Sequence, residues 1–305
     1  MRLSTAVIAA LLASTAAYAV QASRSRPASN AMATTPRTGI AISYGADPLQ
    51  RLSLWPGIVV QLGGRAIETP LIVFVHGGGW KRGSKDNATG AWKIEHYPGA
   101  GYAFASIDYR LVPQATVEQQ AQDVADAVKA LLANADKYHI DRRRVVLMGH
   151  SAGAHLVALV GTDARYLRNA GLSFADIAGV IPIDGAAYDV ERQIAQAGPF
   201  MRGTYAAAFG SDPARQHALS PIAQAAAPNA PAFLLLHVQR QDGIAQNNAL
   251  EAALKKAGTR VERRDFPGDG LRGHMEINRR LGDSDFAATT VLDRWLEKIF
   301  SHRGG

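Results

Sequence analysis

Residues 145–155 read Val145-Val146-Leu147-Met148-Gly149-His150-Ser151-Ala152-Gly153-Ala154-His155. An apolar run leads directly into a serine with glycine two positions away on each side. The run predicts a strand buried on both faces, as in a parallel sheet. The small and apolar residues after Ser151 predict a helix. A G-x-S-x-G at such a junction is a sharp strand-to-helix turn. It holds the serine in a strained conformation with Oγ above the sheet, and the glycines let strand and helix approach closely. Ser151 then stands at a helix N-terminus, where the N–H of Ala152 faces any developing negative charge.

The segments around this turn repeat the pattern. Leu71–Val75, Tyr102–Ile107, Ile177–Ile183 and Phe233–His237 are near-continuous apolar runs, and Thr259–Phe266 reads as a further strand. Residues near Ala41 and Arg51–Leu54 suit an antiparallel edge pair. Between the runs lie amphipathic stretches. Val117–Ala133 carries Val117, Ala121, Val124, Val128 and Leu131 on one helical face. Ala249–Ala257, stopped by Gly258, and Ala287–Phe300 read the same way. Strands alternating with helices predict an α/β fold, a mostly parallel central sheet with helices on both faces. Chemistry in such sheets gathers at the carboxyl ends of the strands.

Residues that suit chemistry follow the runs. After Leu71–Val75 comes His76-Gly77-Gly78-Gly79-Trp80. Three glycines leave backbone N–H groups unobstructed, as an oxyanion hole requires. The expected donors are Gly78, Gly79 and Ala152, with Gly77 making the turn. Gly78–Lys85 nearly spells a phosphate-binding loop, but Ser84 and Lys85 stand in swapped order and no clear helix follows, so a nucleotide cradle is not the reading.

A serine nucleophile needs a base, and the base needs an orienting acid. In this fold class both follow the serine in the chain. His274, in Gly268-Asp269-Gly270-Leu271-Arg272-Gly273-His274, is the expected base, placed in a glycine-rich loop after the last strand. His155 and His237 suit packing, and His302 lies near the end of the chain. Asp242, which follows the Phe233–His237 run, is the expected acid, and Asp184, at the end of the preceding run, is its rival. Asp265 and Asp269 suit loop or strand-end roles. Asp123, Asp126 and Glu118 suit a solvated helix face. Asp108-Tyr109-Arg110 suits a buttress for the glycine loop. Phe200–Ser211 and the Trp80–Trp92 region are expected to shape the pocket, with Trp80, Trp92 and Phe200 as an apolar wall or as loop packing.

Composition narrows the remaining classes. The 305 residues, 47% hydrophobic, suffice for one large core. Residues 1–19 read as a signal peptide: Arg2, an apolar run from Ala6, then Ala17-Tyr18-Ala19 as a small-x-small cleavage site. An uncleaved anchor is the alternative, although the run is short and interrupted for a stable span. Residues 20–38, rich in Ser, Arg, Pro and Thr, read as a disordered linker, and residues 39–305 as a single catalytic domain. Export to the periplasm or beyond the cell is the expected localisation. The absence of cysteine excludes disulfides, thiol catalysis and zinc–thiolate sites. The net charge of +7 is spread over scattered basic pairs without interleaved aromatics, so nucleic acid is not an expected partner. No metal-binding H-E-x-x-H occurs, and Asn87-Ala88-Thr89 is a glycosylation sequon by letter only.

The landmarks HGGGW at 76–80, DYRLVP at 108–113, GHSAGAH at 149–155, IDGAAYDV at 183–190, Ser220-Pro221, LLLH at 234–237 with Asp242, and GHMEIN at 273–278 resemble the α/β-hydrolase superfamily. The resemblance is to bacterial carboxylesterases of the HGGGW/GHSAG type, and it spans most of the chain from Tyr44. It implies a serine ester hydrolase without cofactor or metal, with Ser151 as nucleophile, Asp242 as acid and His274 as base. The implied substrate is a small-molecule or polymer-linked ester, short-chain or aryl. Arylformamidase, amidase or peptidase activity through the same triad is the alternative, followed by a non-catalytic binding protein on the same fold. Two departures stand out. Many relatives carry glycine after the strand-end histidine and the acid four residues beyond it. Here Val238 follows His237, the fourth position is Gln241, and Asp242 stands one further on. His150 replaces the aspartate usual in hormone-sensitive-lipase relatives.

Overall fold

The structure, a computed structural model, describes residues 38–58, 61–62 and 65–301. The signal peptide assigned to 1–19 and all of the linker assigned to 20–38 except the exposed Thr38 lie outside the described residues.

Eight strands form the central sheet: β1 (Ile40–Ser43), β2 (Arg51–Trp55), β3 (Thr69–Val75), β4 (Ala103–Ile107), β5 (Ile140–His150), β6 (Gly179–Ile183), β7 (Ala232–Val238) and β8 (Arg260–Phe266). Their order is β1-β2-β4-β3-β5-β6-β7-β8. β1 and β2 pair antiparallel, as do β2 and β4, and the remaining pairs are parallel. Gln61–Leu62 and Arg65–Ala66 pair antiparallel as a separate two-stranded sheet.

Strand alternation sorts the apolar runs into two cores. Leu71, Val73 and Val75 of β3 pack with Val124, Val128 and Leu131 of the helix Val117–Ala133 and with Leu156 and Val160 of the helix Ala152–Thr162. Ile72 and Phe74 turn to the other face, with Val146, Leu234 and Leu236, under Leu292, Trp295 and Leu296 of the helix Ala287–Ser301. Both faces of β3–β7 are therefore covered, which is why these runs lack polar alternation. Each fully buried Leu or Val contributes about 1.5–3 kcal/mol relative to exposure. β8 is the edge. Its RVERRDF sequence keeps charges on the open side, where they discourage pairing with another chain.

Val117–Ala133 has the expected bounds. Thr116 closes a capping box: its hydroxyl accepts from the Gln119 N–H, and the Gln119 side chain accepts from the Thr116 N–H at 2.9 Å. The helix expected at Ala249–Ala257 begins earlier, spanning Gln241–Lys256, and Gly258 follows it with φ +75°. Asp123 departs from the solvated-face expectation. It is fully buried, and its carboxylate accepts from the Arg110 N–H (2.9 Å), the Arg110 guanidinium (2.6 Å) and the Gln50 amide (2.9 Å). Apolar periodicity shows which side of a helix meets the sheet. It misses a second side covered by loops, here the segments before β2 and after β4. Glu118 is also engaged, with Arg215 at 2.7 Å.

Candidate active site

The serine turn is built as its letters require. Ser151 has φ 56° and ψ −117°, a conformation costly for a residue with a Cβ. Its N–H is held by the Ile183 carbonyl at 3.0 Å. A Cβ built on Gly149 would lie 2.3 Å from the Gly153 carbonyl oxygen, and one on Gly153 would lie 2.1 Å from that of Val75. Only glycine fits either position.

Ser151 Oγ donates to His274 Nε2 at 3.0 Å. The opposite ring nitrogen, Nδ1, donates to Asp184 Oδ2 at 2.6 Å. His274 sits in the helix Gly270–Arg280 rather than in a loop: the glycine-rich letters Gly268–Gly273 supply a tight turn and the first helical turn. A Cβ on Gly273 would lie 2.6 Å from the Gly268 carbonyl carbon, so both glycines serve close packing of turn on helix. His150 braces the assembly. Its Nε2–H donates to the His274 carbonyl at 2.9 Å, and its ring lies 4.5 Å from the His274 ring.

The acid expected at Asp242 is corrected by this geometry: Asp184 holds His274, and Asp242 does not. In the sheet register Ile183 pairs with His150 on one side and Leu236 on the other. Asp184 therefore stands beside Ser151, one strand away, at the top of β6. The helix after β7 starts at Gln241, which puts Asp242 in its first turn. There its carboxylate lies 3.3 Å from the Arg240 guanidinium and accepts from Gln193 at 3.3 Å, with 38% of the side chain exposed. Arg240 stands between the two acids, its Nε 2.9 Å from Asp184 Oδ2.

Asp184 is fully buried. Burial pushes its carboxyl up, but the hydrogen bond from His274, the charge of Arg240 and the Val238 N–H (3.0 Å) outweigh it and bring the pKa down to about 2. Arg240 was not singled out from sequence. Its signal was its place just beyond β7, within reach of any acid ending the neighbouring β6.

The glycine loop lies across the serine turn. A Cβ on Gly77 would lie 2.9 Å from Ser151 Cβ. Gly77 thus serves close approach, while the turn itself is made by Gly78 (φ +127°) and Gly79 (φ +61°). The buttress expected of residues 108–110 is present. Tyr109 Oη donates to the His76 carbonyl at 3.0 Å and its ring stacks on His76 at 4.3 Å. Asp108 accepts from the Lys85 N–H at 2.6 Å. On the far side, buried Lys93 donates to the Thr89 carbonyl (2.8 Å) and to that of Asn278, tying this loop to the helix of His274. Burial lowers the Lys93 ammonium to about 7.

These groups line an open cleft of about 1340 Å³. Trp80 and Phe200 are in its wall; Trp92 is not, and is 45% exposed elsewhere. Trp80 also packs on Phe209 at 4.8 Å and donates from Nε1 to His155 Nδ1 at 3.3 Å. His155 passes its own Nε2–H to the Leu219 carbonyl, the fully used neutral ring expected of a packing histidine. Among the described residues, no group of three or more His, Asp or Glu side chains is placed to hold a metal ion, and no helix is long and apolar enough to cross a membrane.

Comparison with known proteins agrees with this architecture. Esterase B from Lactobacillus rhamnosis superposes with a TM-score of 0.70 at 20% identity, over 88% of each chain. Esterase 2 from Thermogutta terrifontis gives 0.68 at 19% identity, over 87% of this chain and 96% of its own. These likenesses establish the α/β-hydrolase fold. By sequence, the chain is 34% identical over 124 residues to esterase LipC of Mycobacterium tuberculosis, covering 41% of this chain and 30% of the relative. It is 37% identical over 108 residues to neutral cholesterol ester hydrolase 1 of Rattus norvegicus, covering 32% and 25%. The chain thus spans less than a third of the length of these curated relatives. The sequence model of the BD-FAE family matches residues 63–253, a span that holds the glycine loop, Ser151 and Asp184. The chain belongs to the BD-FAE family.

Proposed function

We propose that this protein is a serine hydrolase of carboxylic esters, of the HGGGW/GHSAG carboxylesterase type, working through an acyl-enzyme. The observation that carries the reading is the unbroken relay from Ser151 Oγ through His274 to Asp184, opening into the cleft.

In the first half-reaction Ser151 Oγ attacks the ester carbonyl while His274 Nε2 takes its proton. The imidazolium so formed is stabilised by Asp184, whose low pKa keeps it ionised across ordinary pH. The carbonyl oxygen gains the charge and is met by the N–H groups of Gly78, Gly79 and Ala152. Collapse of the intermediate breaks the bond to the alcohol oxygen, which takes the proton back from Nε2. Water then repeats the sequence. It loses a proton to His274, attacks the acyl carbon and releases the acid with Ser151 reprotonated.

The substrate class is a short-chain or aryl ester, free or polymer-linked. The leader-like pattern of residues 1–19 supports export to the periplasm or beyond. N-terminal sequencing of the protein recovered outside the cytoplasm, beginning at Val20, is the expected result.

The direct test is hydrolysis of p-nitrophenyl esters from acetate upward by the protein and its Ser151→Ala variant. Turnover of short esters that falls to background in the variant is the expected result. No turnover of any ester by the folded protein would overturn it, and amide or formamide substrates would then come first.

A further inference from the structure

The cleft lining mixes exposed apolar and cationic side chains. Among the apolar ones Phe200 is 82% exposed, Leu271 71% and Met275 52%. The cationic ones come from separate segments. Lys81 and Arg82 follow directly on the glycine loop, and Arg279 projects from the helix of His274. Arg240 completes four cationic side chains in the lining, against two carboxylates, Asp184 and Asp242. Both carboxylates are held by Arg240, and Arg279 is engaged by Glu276 at 2.7 Å. Lys81 and Arg82 are exposed and have no carboxylate within ion-pair distance among the described residues.

These two cations are not on a loose strand. A Cβ on Gly78 would lie 1.9 Å from the Arg82 carbonyl oxygen, and one on Gly83 would lie 2.4 Å from that of Gly77. The carbonyl of Trp80 accepts from the Val112 N–H at 3.0 Å and from the Gln120 amide at 2.7 Å. The backbone that carries Lys81 and Arg82 is therefore the same rigid turn that carries Gly78 and Gly79. Acyl transfer itself asks for no cation there, since backbone N–H groups serve the oxyanion. Two uncompensated positive charges in the lining of the cleft that holds Ser151 favour an anion on the part of the substrate that is not attacked.

We infer that the substrate is an ester bearing a carboxylate on its alcohol or acyl part and an apolar or aromatic body, the carboxylate facing Lys81 and Arg82. This rests on the ester-hydrolase reading above.

The test uses two nearly isosteric pairs: 4-acetoxybenzoate against 4-acetoxybenzamide, and the 4-methylumbelliferyl monoester of adipic acid against the hexanoate. Rates are normalised to hydroxide hydrolysis. At about 0.02 M salt, kcat/KM for the anionic member of at least one pair is expected to exceed that of its neutral partner by about fivefold or more, the scale of a good exposed ion pair. The difference should sit in KM, because the contact is the same in ground and transition states. It should shrink at about 0.5 M salt, where charges beyond a few ångströms are screened. In the double variant Lys81→Gln/Arg82→Gln the ratio should fall toward one. Ratios within about twofold in both pairs, insensitive to salt, would overturn the inference while leaving the esterase reading intact. Failure to cleave any member above the Ser151→Ala blank would remove both.

Discussion

Replacing Asp184 by asparagine separates the two acids of the cleft. Asparagine keeps the shape of the side chain and an oxygen for the Val238 N–H, which Asp184 Oδ1 now accepts at 3.0 Å. It removes the charge at Oδ2, where His274 Nδ1 (2.6 Å) and Arg240 Nε (2.9 Å) converge. An amide there favours the tautomer with the proton on Nε2, which cannot accept from Ser151. In serine hydrolases with this arrangement the change costs about 10⁴-fold in kcat, equivalent to about 5 kcal/mol of transition-state stabilisation. Arg240 would lose its closest carboxylate, and breaking a buried ion pair costs about 3–5 kcal/mol of stability. Because Asp242 remains 3.3 Å from the same guanidinium, the loss should fall at the low end of that range. Asp242→Asn removes only a partly exposed acid with two long contacts, and should change kcat by less than about fivefold. The assay is steady-state hydrolysis of p-nitrophenyl acetate by both variants, with thermal unfolding run beside it to establish that each is folded. A folded Asp184→Asn variant within tenfold of the parent, with Asp242→Asn down a thousandfold, would refute the reasoning and restore the acid to the end of β7.

Other outcomes follow from the same geometry. Gly78→Ala would press a Cβ to within 1.9 Å of the Arg82 carbonyl oxygen at φ +127°, so the loop must shift; kcat should fall about 100- to 1,000-fold, the scale of one lost oxyanion donor. Gly153→Ala would push the serine helix off β3, where the Val75 carbonyl oxygen lies 2.1 Å away, and a lowered melting temperature or loss of soluble protein should result, measured by calorimetry. Stability should also fall in acid. Burial depresses His76 and His155 from 6.5 to about 4, and His150 in the same direction. Between those values the unfolded chain binds protons that the folded one refuses, so stability is full above about pH 6.5 and drops as pH falls toward 4, by about 1.4 kcal/mol per pH unit for each ring. Urea midpoints at pH 7.5 and pH 5 test this, and equal midpoints would contradict it.

The parts of this molecule that were legible in the letters are those whose physics is local. A strand buried on both faces must be apolar throughout, so β3, β7 and the Val145–Met148 part of β5 announce themselves, while the charged start of β5, Asp141–Arg144, does not. A nucleophile lifted from the sheet needs Gly149 and Gly153, and a bare donor loop needs Gly77–Gly79. His274 was identifiable because it follows the last strand in a stretch the backbone can turn through, although that stretch winds into a helix. The acid is a different kind of question. Asp184 and Asp242 each come after a strand of the right kind, follow the serine and precede the histidine. What distinguishes them is lateral position: β6 lies next to the serine strand and β7 one place further, an order fixed by crossovers that leave no mark on either aspartate. Arg240 completes the decision. By facing Asp184 with Nε and Asp242 with Nη1, it holds one carboxylate buried and ionised under His274 and keeps the other at the cleft wall. The same limit explains Asp123, whose burial depends on segments 13 and 73 residues away in sequence. Residues that act through their neighbours in sequence can be read one segment at a time. Residues held by segments distant in sequence, as both of these aspartates are, become readable only once the strand order is known.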